Sequence, residues 1–414
     1  MRDFAIPGLA ARLPDRGIVP DRFSTIAEYG LTCGFIFAVG LFLVSVTPAS
    51  TIRASDFSYF YIVSKMVLAG HGGDIYNLAV LGHVERAWVY PQQIPDGVLP
   101  NNYSPFFAVA FVPFAALPYS LAYAIWLALN SVFLGSCLVA LGRLAGLGIR
   151  GKAVLAVAAA LSVPAIVAMV LGQVSFFLLL LLIGCLLALR GRRDILAGSL
   201  LALTLFKPQY VVPFLLLLVM LRRRRALAGF ITTTACLTIA PLPILGLDAD
   251  LRYVRALIAA VGYPPSIGGF GPRLNSSFAG FAQLLLDPSA ARVVAIVLSL
   301  AALGVLVLTI RRGASLEVAF AQAMVVALLT SQHVLIHDLS LLLIPATVLI
   351  RLRSAGSIVL LGLTYVVVPI GYRLAIMVPL QLTTLLLCVL LGYFYLCSQA
   401  SIPESKQSTE VSAA

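Results

Sequence analysis

Short clusters of basic residues cut the chain into long apolar runs, and this alternation limits the fold more than any other feature. The clusters are Arg190 with Arg192 and Arg193, Arg222 to Arg225, Arg311 with Arg312, and Arg351 with Arg353. A helix needs about 20 apolar residues to cross a bilayer, and the runs between clusters suit such helices. Of 414 residues, 61% are hydrophobic and 11% are charged, against about a quarter charged in soluble domains. Mean hydropathy is +1.03. An all-α, polytopic membrane protein is expected. The net charge of +12 would suit nucleic acid if it lined one face. Instead the charges sit between apolar runs, the pattern that sets membrane orientation, and no nucleic acid partner is expected.

Cys33, Cys137, Cys185, Cys236, Cys388 and Cys397 all lie in apolar runs, without a CxxC pair. Neither a disulfide framework nor a thiolate metal site is indicated. Met1 to Thr25 is polar and rich in arginine and proline, which reads as a cytoplasmic tail (1–28) rather than a cleavable signal.

With that tail inside, the first run, Gly30 to Val46, exits on the outer face. It delivers ASDFSYFYIVSKMVLAGHGGDIY, Ala54 to Tyr76, to that face. The basic loop Arg143 to Lys152 lies inside again, after one crossing over Leu121 to Gly142. Between the two lies an outer loop, 49–120, which carries Asp56. Its apolar piece Phe106–Leu117 is broken by Pro113 and Pro118 and reads as a re-entrant or interfacial helix. The stretches Lys152 to Arg190, Arg193 to Arg222 and Arg312 to Arg351 each begin and end on basic residues, so each crosses an even number of times. Each is then a hairpin with a polar tip: Gly172-Gln173, Lys207-Pro208-Gln209, and Gln332-His333 with His337-Asp338. Every tip falls on the face that carries Asp56. A second outer loop, 247–291, contains the run Gly268 to Asn275, too rich in glycine for a helix. A last hairpin has Gly371-Tyr372-Arg373 at its outer tip. The expectation is a transmembrane domain over 29–397 with about twelve spans, both termini cytoplasmic, and a cytoplasmic tail at 398–414.

Ionisable groups at membrane depth are costly and mark functional positions by default. Lys207 either snorkels to the outer headgroups or holds an anionic phosphate. His333 and His337 are four apart and would share a face on a helix. Zinc, a hydrogen bond to phosphate or sugar, and a structural role are the alternatives. Zinc is disfavoured because no Glu lies between them and no third ligand is evident. Gln173 either caps its own hairpin turn or joins a site, and Asp248-x-Asp250 is short enough to arise by chance. Asp56 is either a solvated loop acid or a proton acceptor beside the partly apolar wall of Phe57, Tyr59, Phe60 and Tyr61.

The runs DFSYFYIVSKMVLAGHGGDIYN, NNYSPFFAVAFVPFAALPYSLAYAIWLALN, LGQVSFFLLLLLI and AGSLLALTLFKPQYVVPFLLLLVMLRRRR, in this order, resemble glycosyltransferase family 87. These are the polyprenol-phosphate-mannose-dependent mannosyltransferases and their relatives in the GT-C superfamily. The resemblance spans about residues 54 to 345. It implies hexose transfer, mannose above all, from a polyprenyl-phosphate donor to a lipid or glycan acceptor at the outer face of the cytoplasmic membrane. The family's first-loop Asp, its base, matches Asp56. Its Gly-Gln falls on Gly172-Gln173, its Lys-Pro on Lys207-Pro208, and its histidine segment on Ser331 to Asp338. Two departures stand out: Ser331-Gln332 where many members have Ser-Pro, and His337-Asp338 where some have adjacent histidines.

The expected donor-binding set is Lys207, His333, His337, Gln173 and Arg273, with Tyr59, Tyr103, Asn275 and Asp338 as further cleft residues. A phosphate leaving group needs no metal; no cofactor is expected beyond the lipid-linked sugar as co-substrate. The rival class is a secondary transporter or lipid flippase, which would show inverted repeats and polar access from both sides. Polar residues gathered on one face, with short basic inner loops, favour an enzyme.

Overall fold

The structure, a computed structural model, describes residues 22–89, 98–260 and 271–399. Within these residues it is helical and contains no strand. The expected tails at 1–28 and 398–414 fall largely outside the described residues.

The chain opens with α1 (Arg22–Val46). The outer loop expected at 49–120 holds five short helices: α2 (Ala49–Arg53), α3 (Asp56–Leu68), α4 (Leu78–Val89), α5 (Pro105–Ala110) and α6 (Val112–Ala115). Both α5 and α6 carry a proline in their first two positions, where its fixed φ and missing N–H suit a helix start. Pro113 therefore divides the apolar piece into two helices. After Pro118 comes the 26-residue α7 (Tyr119–Leu144). α8 (Ile149–Ala160) and α9 (Val163–Val170) meet at 61°. Ser162 accepts a hydrogen bond from the Ala165 N–H there, and Pro164 occupies the first turn of the new helix.

α10 (Ser175–Arg190) follows, then the arms of the lysine hairpin, α11 (Asp194–Leu203) and α12 (Val212–Met220), joined through two 3-10 turns around Lys207. α13 (Arg224–Ile239) and α14 (Leu242–Leu245) lead to the second outer loop with α15 (Leu247–Ala260) and α16 (Phe278–Leu285). α17 (Pro288–Arg311), α18 (Leu316–Thr330), α19 (Leu343–Leu352), α20 (Ala355–Met377) and α21 (Leu382–Leu396) complete the bundle. α18 lies at its centre: every residue from Val318 to Leu329 is buried, as expected of a helix apolar all round.

Five segments are long and apolar enough to cross a membrane: Ser24–Val46, Tyr119–Leu144, Arg224–Leu245, Pro288–Arg311 and Ala355–Met377. Counting α8 with α9 as one bent span gives six. Most of the remaining expected crossings coincide with shorter apolar helices, including Ser175–Arg190, Asp194–Phe206, Pro208–Met220, Leu316–Thr330 and Leu382–Leu396. Counting from one basic cluster to the next reveals that an arm exists but not how far it extends.

The last hairpin differs from expectation. Gly371, Tyr372 and Arg373 lie inside α20, and the turn falls at Val378–Gln381. Apolar residues continue the helix past Pro369 to Met377. Val378 then adopts an extended conformation, as a residue before proline prefers. Of the glycine-rich run, Gly268 to Phe270 lie outside the described residues, and Gly271 to Asn275 are non-helical as expected.

Ion pairs join helix ends on the side expected to be inner. Glu28 binds Arg143 at 2.9 Å and Lys152 at 2.8 Å, tying α1 to α7 and α8. Glu317 binds Arg190 at 3.2 Å and Arg351 at 3.3 Å, tying α18 to α10 and α19. α11 and α13 cross so closely that a Cβ on Gly198 would collide with the Ala226 carbonyl, the small-residue contact common between membrane helices.

Candidate active site

Asp56 is the first residue of α3, and the start of that helix is fixed to the break between α9 and α10. The Phe57 N–H donates to the Leu171 carbonyl at 3.0 Å, and Trp126 Nε1 donates to the Gly172 carbonyl at 2.7 Å. Gly172 has φ +64°, and a Cβ there would stand 2.6 Å from Cβ of Phe57. Glycine alone allows both that conformation and that approach. The turn delivers the Gln173 side chain to a hydrogen bond with the Asp56 carboxylate. Gln173 Oε1 also accepts from the Val174 N–H at 3.4 Å, so the residue braces its own turn as well.

Lys207 sits between the 3-10 turns Thr204–Phe206 and Pro208–Tyr210, with φ −126° and ψ 73°. Pro208 disfavours the helical conformation for it. Its Nζ lies 2.7 Å from Asp338 Oδ1, with the two side chains only 7% and 1% exposed. Lys207 is thus folded inward onto a carboxylate rather than extended toward the surface. Charges this deep are tolerable only when paired and hydrogen-bonded. Asp338 meets that condition: it accepts from Ser175 Oγ at 3.4 Å and from the Leu335 N–H at 3.3 Å. His337 Nε2 stands 3.5 Å from its other oxygen.

The histidines do not share a helix face. His333 lies in a non-helical stretch, and the 3-10 turn that holds His337 begins only at Ile336. Both rings nonetheless come within electrostatic range of Lys207 and Asp338. Tyr103 likewise lies in range of Asp56 and Asp338. Its ring stacks on Phe107 at 5.0 Å and meets Phe60 edge-on at 4.8 Å. The Tyr76 hydroxyl donates to the Tyr103 carbonyl at 2.9 Å, and the Tyr76 ring contacts Tyr253 of α15. The two outer loops are joined through this contact.

The remaining candidates stand apart. Tyr59 is buried with its ring edge-on to Phe60. Asn275 is engaged as a clasp: Nδ2 donates to the Gln332 carbonyl at 2.7 Å, and Oδ1 accepts from the Val334 N–H at 3.0 Å and from Ser277 Oγ at 2.9 Å. Arg273 is exposed, and its carbonyl accepts from the Gln381 amide. Asp248 and Asp250 fall in the first turn of α15. Two contributors were missed in the sequence, Ser175 and Tyr210, which is 1% exposed and faces Asp338. Their signal was proximity: Ser175 follows Gln173 by two residues, and Tyr210 follows Lys207 by three.

Burial raises the Asp56 carboxyl from 3.8 to about 6, and the nearby Asp338 adds to the rise. The Gln173 hydrogen bond and the Lys207 charge act in the opposite direction. The cluster therefore opposes a carboxylate poised near neutral pH to a buried ammonium held by a second carboxylate. Among the described residues no three His, Cys, Asp or Glu side chains converge as a metal would need.

Fold and composition together define a helical membrane protein, and acidic and basic side chains meet in its interior. The model of glycosyltransferase family 87 matches residues 101–337, more than half of the chain, and the chain belongs to that family. It is accordingly a glycosyltransferase. No curated protein and no solved structure matches it. The family match holds Tyr103, Gln173, Lys207, Asn275, His333 and His337. It is narrower than the resemblance read from the sequence, beginning after Asp56 and ending before Asp338.

Proposed function

We propose that the protein transfers a hexose, in the first instance mannose, from a polyprenyl-phosphate donor to a lipid or glycan acceptor. The reaction takes place at the outer face of the cytoplasmic membrane, with both termini inside. The observation that carries this reading is the meeting of Asp56, Gln173, Lys207 and Asp338, drawn from four separate segments, in one buried cluster.

Asp56 takes the proton of the acceptor hydroxyl as that oxygen bonds to the anomeric carbon. The bond from that carbon to the phosphate oxygen breaks, and the leaving phosphate gathers negative charge. An ammonium has more N–H groups than Asp338 uses, so Lys207 can donate to the phosphate without leaving its partner. Asp338 serves as the counter-charge of the lysine before the donor arrives. His333 and His337 stand within reach to hydrogen-bond the same anion or the sugar. Displacement in a single step inverts the sugar carbon.

An apolar cavity of about 730 Å³ supports the lipid-linked donor. It lies between the α8–α9 bend, α19 and α20, and it reaches Leu339 and Ser340, the residues that follow Asp338. An isoprenoid chain lying there would bring its phosphate to the ion pair.

The test is transfer by the purified protein with a panel of polyprenyl-phosphate sugars. One of them should be consumed. Asp56→Asn, which keeps size but cannot take a proton, should lower turnover by on the order of 10²–10⁴ with donor binding near normal. Asp74→Asn, in the neighbouring 3-10 turn, should change little. If Asp56→Asn turns over normally, the base lies elsewhere. If no polyprenyl-phosphate sugar is consumed, the transporter reading moves ahead.

A further inference from the structure

A second recess lies on the far side of the segment that carries His333. It encloses about 300 Å³ between α16, α17 and the end of α18. Gln283, Arg292 and Gln332 line it with polar groups, and Ile296 and Leu300 line it with apolar ones. Arg292 Nε donates to the Pro288 carbonyl at 3.1 Å, which fixes the guanidinium in the first turns of α17. Arg292 takes part in none of the ion pairs found among the described residues. The acid nearest in sequence, Asp287, is committed to capping the helix, accepting from the N–H groups of Ser289 and Ala290 at 3.0 and 3.1 Å.

The recess opens on a flank of exposed apolar side chains. Val293, Ile296, Val297 and Leu300 are each about 60% exposed, which suits a helix side turned to acyl chains. At 1.5 Å per residue, Leu300 lies about 12 Å along the axis from Arg292. A cation that joins no ion pair among the described residues, flanked by amides, thus stands at one end, and an exposed apolar track runs away from it. Such a site matches an amphiphile with an anionic head.

The recess also shares a wall with the catalytic cluster. Gln332 lines it, and the next residue, His333, is in range of Lys207 and Asp338. Asn275 clasps this wall from both ends, and the Ser276 N–H donates to the Val334 carbonyl at 2.9 Å.

We propose that this recess binds an anionic lipid, its headgroup on Arg292, Gln283 and Gln332 and its chain along Ile296 and Leu300. A bulk phospholipid and a lipid acceptor share this chemistry. Only assignment to the acceptor rests on the transfer reading above.

The test uses the full chain in phosphatidylcholine nanodiscs doped with phosphatidylglycerol that carries a photoactivatable group in its acyl chain. Crosslinks should map to α16 and α17 and exceed, several-fold, those from phosphatidylcholine bearing the same group. Arg292→Gln should erase the excess, and Arg292→Lys should retain most of it, which separates lost charge from lost fold. Equal labelling by the two probes, or an unchanged excess in Arg292→Gln, overturns the proposal. In the transfer assay, a raised KM for the acceptor alone in Arg292→Gln assigns the recess to the acceptor. An unchanged KM alongside the lost excess assigns it to bulk lipid. Because crosslinking needs no turnover, the recess and the transfer reading can fail separately.

Discussion

Asp56 and Asp338 are two acids near one ammonium, and their surroundings give them different work. Asp338 is spent on Lys207, Ser175 and the Leu335 N–H, whereas Asp56 has a neutral amide as its hydrogen-bond partner and keeps part of its surface open. Environments that separate two carboxylates in this way assign acid–base roles. A carboxyl raised to about 6 carries a proton below that pH and cannot accept another. Turnover limited by chemistry should therefore rise with pH up to about 6 and flatten above it, and Asp56→Asn should lack this limb. A rate independent of pH through that window would remove Asp56 from the role of base. For Lys207 a single change is ambiguous. Lys207→Ala strands a buried carboxylate, and breaking one side of such a pair costs about 3–5 kcal/mol. Lys207→Ala combined with Asp338→Asn should recover most of the thermal stability but not donor use, and full recovery of transfer would make the pair purely structural. Asp56, Gln173 and Lys207 were legible in the sequence because polar residues are conspicuous among apolar runs. The Lys207–Asp338 bond was not, because a contact across 131 residues leaves no local pattern.

Among the elements, the junction of α3 with the α9–α10 break carries the most consequence for the site. Phe57 anchors it: its ring contacts those of Tyr61, Phe111, Tyr119, Tyr123 and Trp126. Aromatic pairs of this kind add about 0.5–1.5 kcal/mol each beyond area burial. The Asp56 carboxylate inherits its position from that anchorage. Gly172→Ala should push Phe57 away, lower the melting temperature and reduce turnover, while membrane insertion is unaffected. Unchanged turnover would mean that Asp56 is placed by something else. Hairpin arms were legible from charge-to-charge spacing, and the breaks at Pro113 and Lys207-Pro208 from proline chemistry. The turn after α20 was misplaced because Gly371 and Arg373 looked like a tip, although the apolar run continued to Met377. The 3-10 form of the histidine segment was hidden because spacing alone cannot distinguish it from an α-helix.

For the whole molecule, the sequence disclosed class and family through the order of its motifs, and tertiary packing decided the lengths of the helices. Orientation is open to a direct measurement. His71→Cys and Arg224→Cys, each in a background without native cysteines, place thiols at exposed positions on opposite sides of the expected topology. An impermeant reagent applied to intact cells should label the first and spare the second. The reverse pattern would invert the protein and turn the cluster toward the cytoplasm.

The short arms of the lysine hairpin have a consequence for the membrane around them. From Asp194 to Phe206 the chain rises only about 20 Å, while hydrocarbon is about 30 Å thick. Asp194 is held at the basic end of the bundle by Arg223, so the deficit falls wholly at the end where Lys207 stands. This is hydrophobic mismatch confined to one side of one hairpin, and it leaves a charged centre beneath the level that the full-length helices reach. Either the bilayer dips there or the protein opens a wet inlet down to it. For the polyprenyl-phosphate donor proposed above, the phosphate would descend from the headgroup plane to meet Lys207, and a long chain rooted in the hydrocarbon is suited to draw it down.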